Sequence, residues 1–202
     1  MKSSDDSELV RQMLAGDEEA LALLYRRRQG AIYRFALQMS GSKVIAEDVT
    51  QEVFLFLMRE GHLFDPAKGS VIAFLFGVAR NHVLRRLRVE QLLSPLVADG
   101  NEYGPPIQVS PDPCPLEDLT RAKTIESVRR AILSLPAKYR EVVVLCELQD
   151  FSYEEAAEIL GCAIGTVRSR LHRARALLLA KLRPADVEDA DSATVKSARC
   201  FA

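Results

Sequence analysis

The chain has 202 residues, 48% of them hydrophobic, enough to fill one medium core or two small ones. No apolar run approaches the ~20 residues that span a bilayer, and the opening Met-Lys-Ser-Ser-Asp-Asp lacks the basic-then-apolar order of a signal peptide, so a soluble, cytoplasmic protein is expected. The formal net charge of -1 would argue against a polyanionic partner if charge were spread evenly, but Arg80, Arg85, Arg86 and Arg88 form one basic block and Arg168 to Arg183 another, free of acids.

From Ser7 to about Leu92 apolar residues recur at helical spacing, broken at Gly16-Asp17, at Gly41-Ser42 and over Phe64 to Ser70, which predicts about four helices. Asp17, Ser42 and Ser70 are expected N-caps, each offering a side-chain oxygen to the free N–H groups of a helix start. Residues 93–120 carry six prolines and no lysine or arginine, and are expected to form a flexible linker. Helical periodicity returns over 121–183, interrupted at Leu135-Pro136, Gln149 to Ser152 and Gly161-Cys162, which predicts three or four short helices. The polar tail, 184–202, is expected to be disordered. The fold class is therefore all-α: two small helical domains, 1–92 and 121–183, and no strand-like alternation. Cys114, Cys146, Cys162 and Cys200 lie far apart, with no C-x-x-C pair and no histidine near in sequence, so no metal site and no cofactor are expected. Cys146 and Cys162 read as small buried hydrophobes, Cys114 and Cys200 as exposed.

In the second domain Ser152-Tyr153-Glu154-Glu155 spells a capping box that opens a helix ending at Gly161. A second helix is expected near Gly165-Thr166, which makes a helix-turn-helix. Val167, Leu171, Ala174 and Leu178 share one face, leaving Arg168, Ser169, His172 and Arg173 on the other, where arginine can meet the O6 and N7 acceptors of guanine in a major groove. Thr166, Arg170 and Arg175 flank that face, suited to phosphates or to ion pairs with acids of the preceding helix. Ala163 has no side-chain oxygen with which to cap the second helix.

In the first domain, helix 43–60 turns Ala46, Val49, Val53 and Leu57 inward and Glu47, Asp48, Gln51 and Glu52 outward. Helix 71–90 packs through Phe74, Leu75, Val78 and Leu87 and groups Asn81, Arg85 and Arg88 on a face able to follow a nucleic-acid backbone. Phe54, Phe56, Phe64, Phe74 and Phe76 are core residues or, for one or two beside the basic stripe, a pocket for an unstacked base.

These residues together resemble the extracytoplasmic-function (ECF) sigma factors of the sigma-70 family. Ala46-Glu47-Asp48-Val49-Thr50-Gln51-Glu52-Val53-Phe54 is similar to the segment of conserved region 2.2 that docks on the β′ clamp of RNA polymerase, which makes Asp48, Gln51, Glu52 and Phe54 docking residues. Phe64 to Ser70 resembles the loop that captures an extruded base of the -10 element, and Val78-Ala79-Arg80-Asn81 the stretch that holds the melted strand. The -10 site so implied comprises Phe64, Lys68, Phe74, Arg80, Asn81, Arg85 and Arg88. Leu135 to Val142 and Phe151 to Cys162 resemble region 4, and Gly165 to Arg175 its recognition helix, so Arg168, Ser169, His172 and Arg173 would read the -35 element. The segment before Cys146 would meet the β flap. The family usually has Trp at position 74 and an acid at 85, where this chain has Phe74 and Arg85.

The resemblance implies core RNA polymerase, promoter DNA and a sequestering anti-sigma protein as partners, with the chemistry left to the polymerase. Residues 93–120 extend at most ~90 Å at ~3.3 Å each, enough to join two promoter sites on one duplex. The rival from another class is a free-standing operator-binding regulator, which calls for a dimerisation surface or a sensor domain; neither is visible. An enzyme lacks support, with no Gly-rich phosphate loop, H-E-x-x-H or nucleophile elbow.

Overall fold

The computed structural model describes residues 5–93 and 116–182, all helices and short connections with no strand among them. The interior of the expected linker and the tail, with Cys114 and Cys200, lie outside the described residues.

The first domain holds α1 (Asp6–Leu14), α2 (Glu18–Ser40), α3 (Lys43–Glu60), a 3-10 turn at Gly61–Leu63, and α4 (Val71–Leu93). All three expected caps form. Asp17 accepts from the N–H groups of Glu19 and Ala20, Ser42 Oγ from that of Ile45, and Ser70 Oγ from that of Ala73, each satisfying a backbone donor that the helix leaves unpaired. Gly41 closes α2 at φ 73°, a left-handed conformation that only glycine adopts without strain. Asp6 of α1 is nearly buried and takes Arg28 Nε at 2.5 Å, which ties α1 to α2.

The second domain holds α5 (Leu116–Leu133), α6 (Ala137–Val143), a π-helical turn at Val144–Leu148, α7 (Tyr153–Leu160) and α8 (Ile164–Leu182). Two boundaries differ from expectation. Helix α5 starts at Leu116, directly after the last proline of the segment read as linker. Helix α8 starts at Ile164, one residue early, because the Ala163 carbonyl already accepts the N–H groups of Thr166 and Val167.

Each domain buries one stripe per helix. Phe35 and Met39 of α2, Val49, Val53 and Leu57 of α3, and Leu75, Phe76 and Val83 of α4 meet in the first core. Leu135, Val142, Leu145, Val167, Leu171 and Ala174 meet in the second. Burying one such large side chain stabilises the fold by about 1.5–3 kcal/mol. The two cores are continuous: Phe76 stacks at 5.1 Å on Phe35 and edge-on at 4.7 Å on Phe151, so α4 lies against α7.

Candidate nucleic-acid interface

The helix-turn-helix is built by local chemistry. Ser152 Oγ accepts the Glu155 N–H while the Glu155 carboxylate accepts the Ser152 N–H at 2.8 Å, the expected capping box. Gly161 ends α7 at φ 61°, and the chain turns directly into α8. Val167, Leu171 and Ala174 are buried and Leu178 packs on the core, so Arg168, Ser169, His172 and Arg173 are exposed on the other side. Two of the flanking residues are half-buried, Thr166 and Arg170. Arg175 is exposed and ion-paired at 2.5 Å with Glu147 of the π-turn, whose carboxylate raises the arginine's pKa. The sequence reading missed Tyr153, whose ring lies 5.9 Å beneath the Arg168 guanidinium and helps to aim it.

On the first domain, Asn81, Arg85 and Arg88 stand exposed along α4, as expected. Phe64 and Phe74 pack against each other at 5.7 Å, with Phe56 at 6.3 Å from Phe74, and all three are only half-buried. Phe54 and Phe76, by contrast, are core residues at 5% and 1% exposure. An aromatic cluster thus borders the 64–70 loop. Within that loop Asp65 accepts the Ala67 N–H at 3.0 Å and pairs with exposed Lys68 at 3.4 Å, and these contacts, the N–H first, hold its carboxyl below the usual range. Arg80 stands apart from its neighbours, turned to the second domain, where Nη2 donates to Glu141 at 3.1 Å.

Helix α3 presents Gln51 to solvent, with Asp48 and Glu52 half-buried; Asp48 pairs with Arg86 of α4 at 3.4 Å. Phe54 does not project. It is buried edge-on against Tyr25 at 4.7 Å and forms a wall of an open groove of about 600 Å³ between α2 and α3. Leu21, Tyr25, Leu55 and Met58 complete that apolar wall, and the sequence reading passed over all four. Their signal was the i, i+4 spacing of Leu21 and Tyr25 on α2 and the i, i+3 spacing of Leu55 and Met58 on α3, which place each pair on one helix face.

Residues 24–92 match the family model of Sigma-70 region 2, and residues 125–178 that of Sigma-70, region 4. Over 160 residues the chain is 35% identical to the ECF RNA polymerase sigma factor EcfG of Rhodopseudomonas palustris, with 77% of this chain and 81% of that protein covered. The chain belongs to the ECF RNA polymerase sigma factors. This sigma factor is also 30% identical to SigW of Bacillus subtilis, over 86% of its own length and 95% of that relative, and 32% identical to SigE of Mycolicibacterium smegmatis, over 88% and 68%. Two solved structures are similar in fold: CnrH in complex with the cytosolic domain of CnrY, at TM-score 0.64 and 26% identity over 88% of this chain and 96% of that one, and the sigma factor RpoE in complex with the anti-sigma factor NepR from Bartonella quintana, at 0.55 and 28% over 78% and 92%. As a sigma factor the chain directs promoter-specific initiation of transcription, with region 2 in α2–α4 and region 4 in α5–α8. No described helix is long and apolar enough to cross a membrane.

Proposed function

We propose that residues 1–92 dock on core polymerase and hold the melted -10 strand, while residues 121–183 read the -35 duplex. Arg168, Ser169, His172 and Arg173 then face the major groove, and Thr166, Arg170 and Arg175 its phosphates. The melted strand follows Asn81, Arg85 and Arg88, with Lys68 and Arg80 beside it, and an unstacked base meets Phe64 and Phe74. A base stacked on an aromatic ring gains about 1–3 kcal/mol, comparable to the cost of unstacking it. Asp48, Gln51 and Glu52 meet the β′ clamp, with the Phe54 groove behind them, and the segment before Cys146 meets the β flap. On this reading the chain supplies specificity and no catalysis, acts in the cytoplasm and is held by an anti-sigma protein; the last point is supported by the similar structure of the sigma factor RpoE in complex with the anti-sigma factor NepR.

The observation that carries this reading is the segregation of α8 into a buried face and an exposed face with Arg168, His172 and Arg173. Footprinting of the holoenzyme tests it. Replacing Arg168 and Arg173 with Ala is expected to erase upstream duplex protection, and replacing Arg85 and Arg88 with Ala to erase permanganate-reactive thymines at the start site. If either pair of substitutions removes both signals equally, the division of labour is wrong.

A further inference from the structure

The side chains around Arg168 form a line of contacts that runs back to the π-turn. Val144 and Leu145 anchor that turn in the core. Asp150 leaves it at φ 56°, a left-handed conformation that aspartate tolerates, and the Phe151 N–H returns to the Leu145 carbonyl at 3.1 Å. The capping box at Ser152 then fixes the start of α7, where Tyr153 packs its half-buried ring on the core. That ring carries the Arg168 guanidinium at 5.9 Å from its centre. Arg175 pairs with exposed Glu147 at 2.5 Å, and after Glu147 the charge and hydrogen bonding of Tyr153 are the next influences that raise its pKa, which places the Tyr153 hydroxyl beside Arg175. One tyrosine thus serves two arginines, the first on its ring and the second at its hydroxyl.

Two guanidinium groups gathered on one side chain repel each other, and the Glu147 carboxylate offsets that repulsion by holding Arg175. The fork of Arg175 keeps further N–H donors for a phosphate. For Arg168 the consequence is direction. A bidentate pair with a base edge needs the planar guanidinium at one angle, whereas an exposed arginine samples many rotamers. A ring beneath it narrows that choice before DNA arrives. Arg173, exposed further along α8, has no such contact among the described residues. An exposed ion pair adds little to stability, so removing the Glu147 charge disturbs this orientation without unfolding the domain.

We propose that Glu147, Arg175 and Tyr153 are positioning residues for the -35 site, which hold the Arg168 guanidinium at the angle that meets its base and so set how sharply one position of the promoter is read. The inference rests on the assignment of Arg168 to that site. Arg173 is positioned by DNA alone, so the base it meets is read independently of the three.

The test offers holoenzyme, assembled from core polymerase and the full chain, a library of promoter duplexes randomised over the upstream element; bound DNA is sequenced and base preference measured at each position. Arg168→Ala is expected to flatten one position. Tyr153→Leu is expected to weaken preference at that same position about two- to five-fold, the range of an exposed cation–π contact, and to leave the position flattened by Arg173→Ala as in the wild type. Glu147→Gln is expected to act in the same direction with an unchanged unfolding midpoint, which guards against misfolding of the tyrosine variant, and Tyr153→Phe, which keeps the ring, to retain more of the preference than Tyr153→Leu. Adding Tyr153→Leu to Arg168→Ala is expected to cost nothing further at that position, as for a residue that acts through the arginine. A further loss in the double variant, or equal loss at every position from Tyr153→Leu, overturns positioning and makes the tyrosine a DNA contact or a packing residue. Wild-type preference in Glu147→Gln overturns the part given to Glu147 and Arg175. If Arg168→Ala itself flattens no position, the assignment of Arg168 falls and the inference with it.

Discussion

Arg168 and Arg173 differ in what holds them. Arg168 rests over the Tyr153 ring, whereas Arg173 stands exposed further along the same helix. Each arginine that pairs with a guanine edge contributes about 1–3 kcal/mol of discrimination. Replacing either with Ala is therefore expected to flatten promoter choice at one position while leaving affinity for core polymerase unchanged, measured by competition among promoter variants and by polymerase pull-down. Equal loss on all promoters would mark a phosphate contact instead. Cys146 bears on a different question. Burial first, then the Glu147 carboxylate, raises its thiol pKa, so less thiolate is present at any pH near neutrality. Alkylation at pH 8 is expected to run more slowly at Cys146 than at a cysteine in an unfolded peptide of the same sequence; faster reaction would contradict the packing around it. The faces of α8 were legible in the sequence because a 3.6-residue period fixes them. The Arg80–Glu141 pair was not, since its partners lie 61 positions apart and only the folded chain brings them together.

Single helices carry their own instructions for starting. Ser152 caps α7 through a reciprocal pair of hydrogen bonds, and Ser152→Ala is expected to cost about 1 kcal/mol of stability. Ala163 precedes α8 with no side-chain acceptor, so Ala163→Ser is expected to move thermal unfolding the other way by a similar amount. Opposite shifts in midpoint, read by circular dichroism, check both; shifts of the same sign would contradict the assignment of helix starts. Such local signals explain why the caps at Asp17, Ser42 and Ser70 were readable from sequence. They also explain the two missed boundaries, at Leu116 and Ile164, where no capping side chain marks the start and a backbone carbonyl or the end of a proline run decides it. On α3 the acidic face was legible as a pattern, but the apolar groove beside it was not. The groove needs Leu21 and Tyr25 of α2 to meet Leu55 and Met58 of α3, a tertiary event. Gln51→Lys, at the groove, with Glu52→Lys next to it in the chain is expected to weaken binding to core polymerase at least ten-fold with little change in unfolding midpoint, as measured by fluorescence titration. Unchanged affinity would move docking elsewhere.

At the scale of the whole molecule, the two domains share one continuous apolar core through Phe35, Phe76 and Phe151. Their all-α character and division were legible in advance, because the proline-rich stretch separates two helical periodicities. Their mutual packing was not legible, since it depends on one edge-on ring contact and a few polar pairs between distant segments. The central claim is that this chain gives core polymerase a promoter choice it otherwise lacks. It is tested most directly by transcription in vitro on fragmented genomic DNA, with sigma-free core polymerase alone or with the protein added, and mapping of the new 5′ ends. New start sites are expected that appear only with the protein and share two upstream sequences separated by one and a half to two turns of duplex. Folded protein that binds DNA tightly without polymerase and yields no new starts would contradict it.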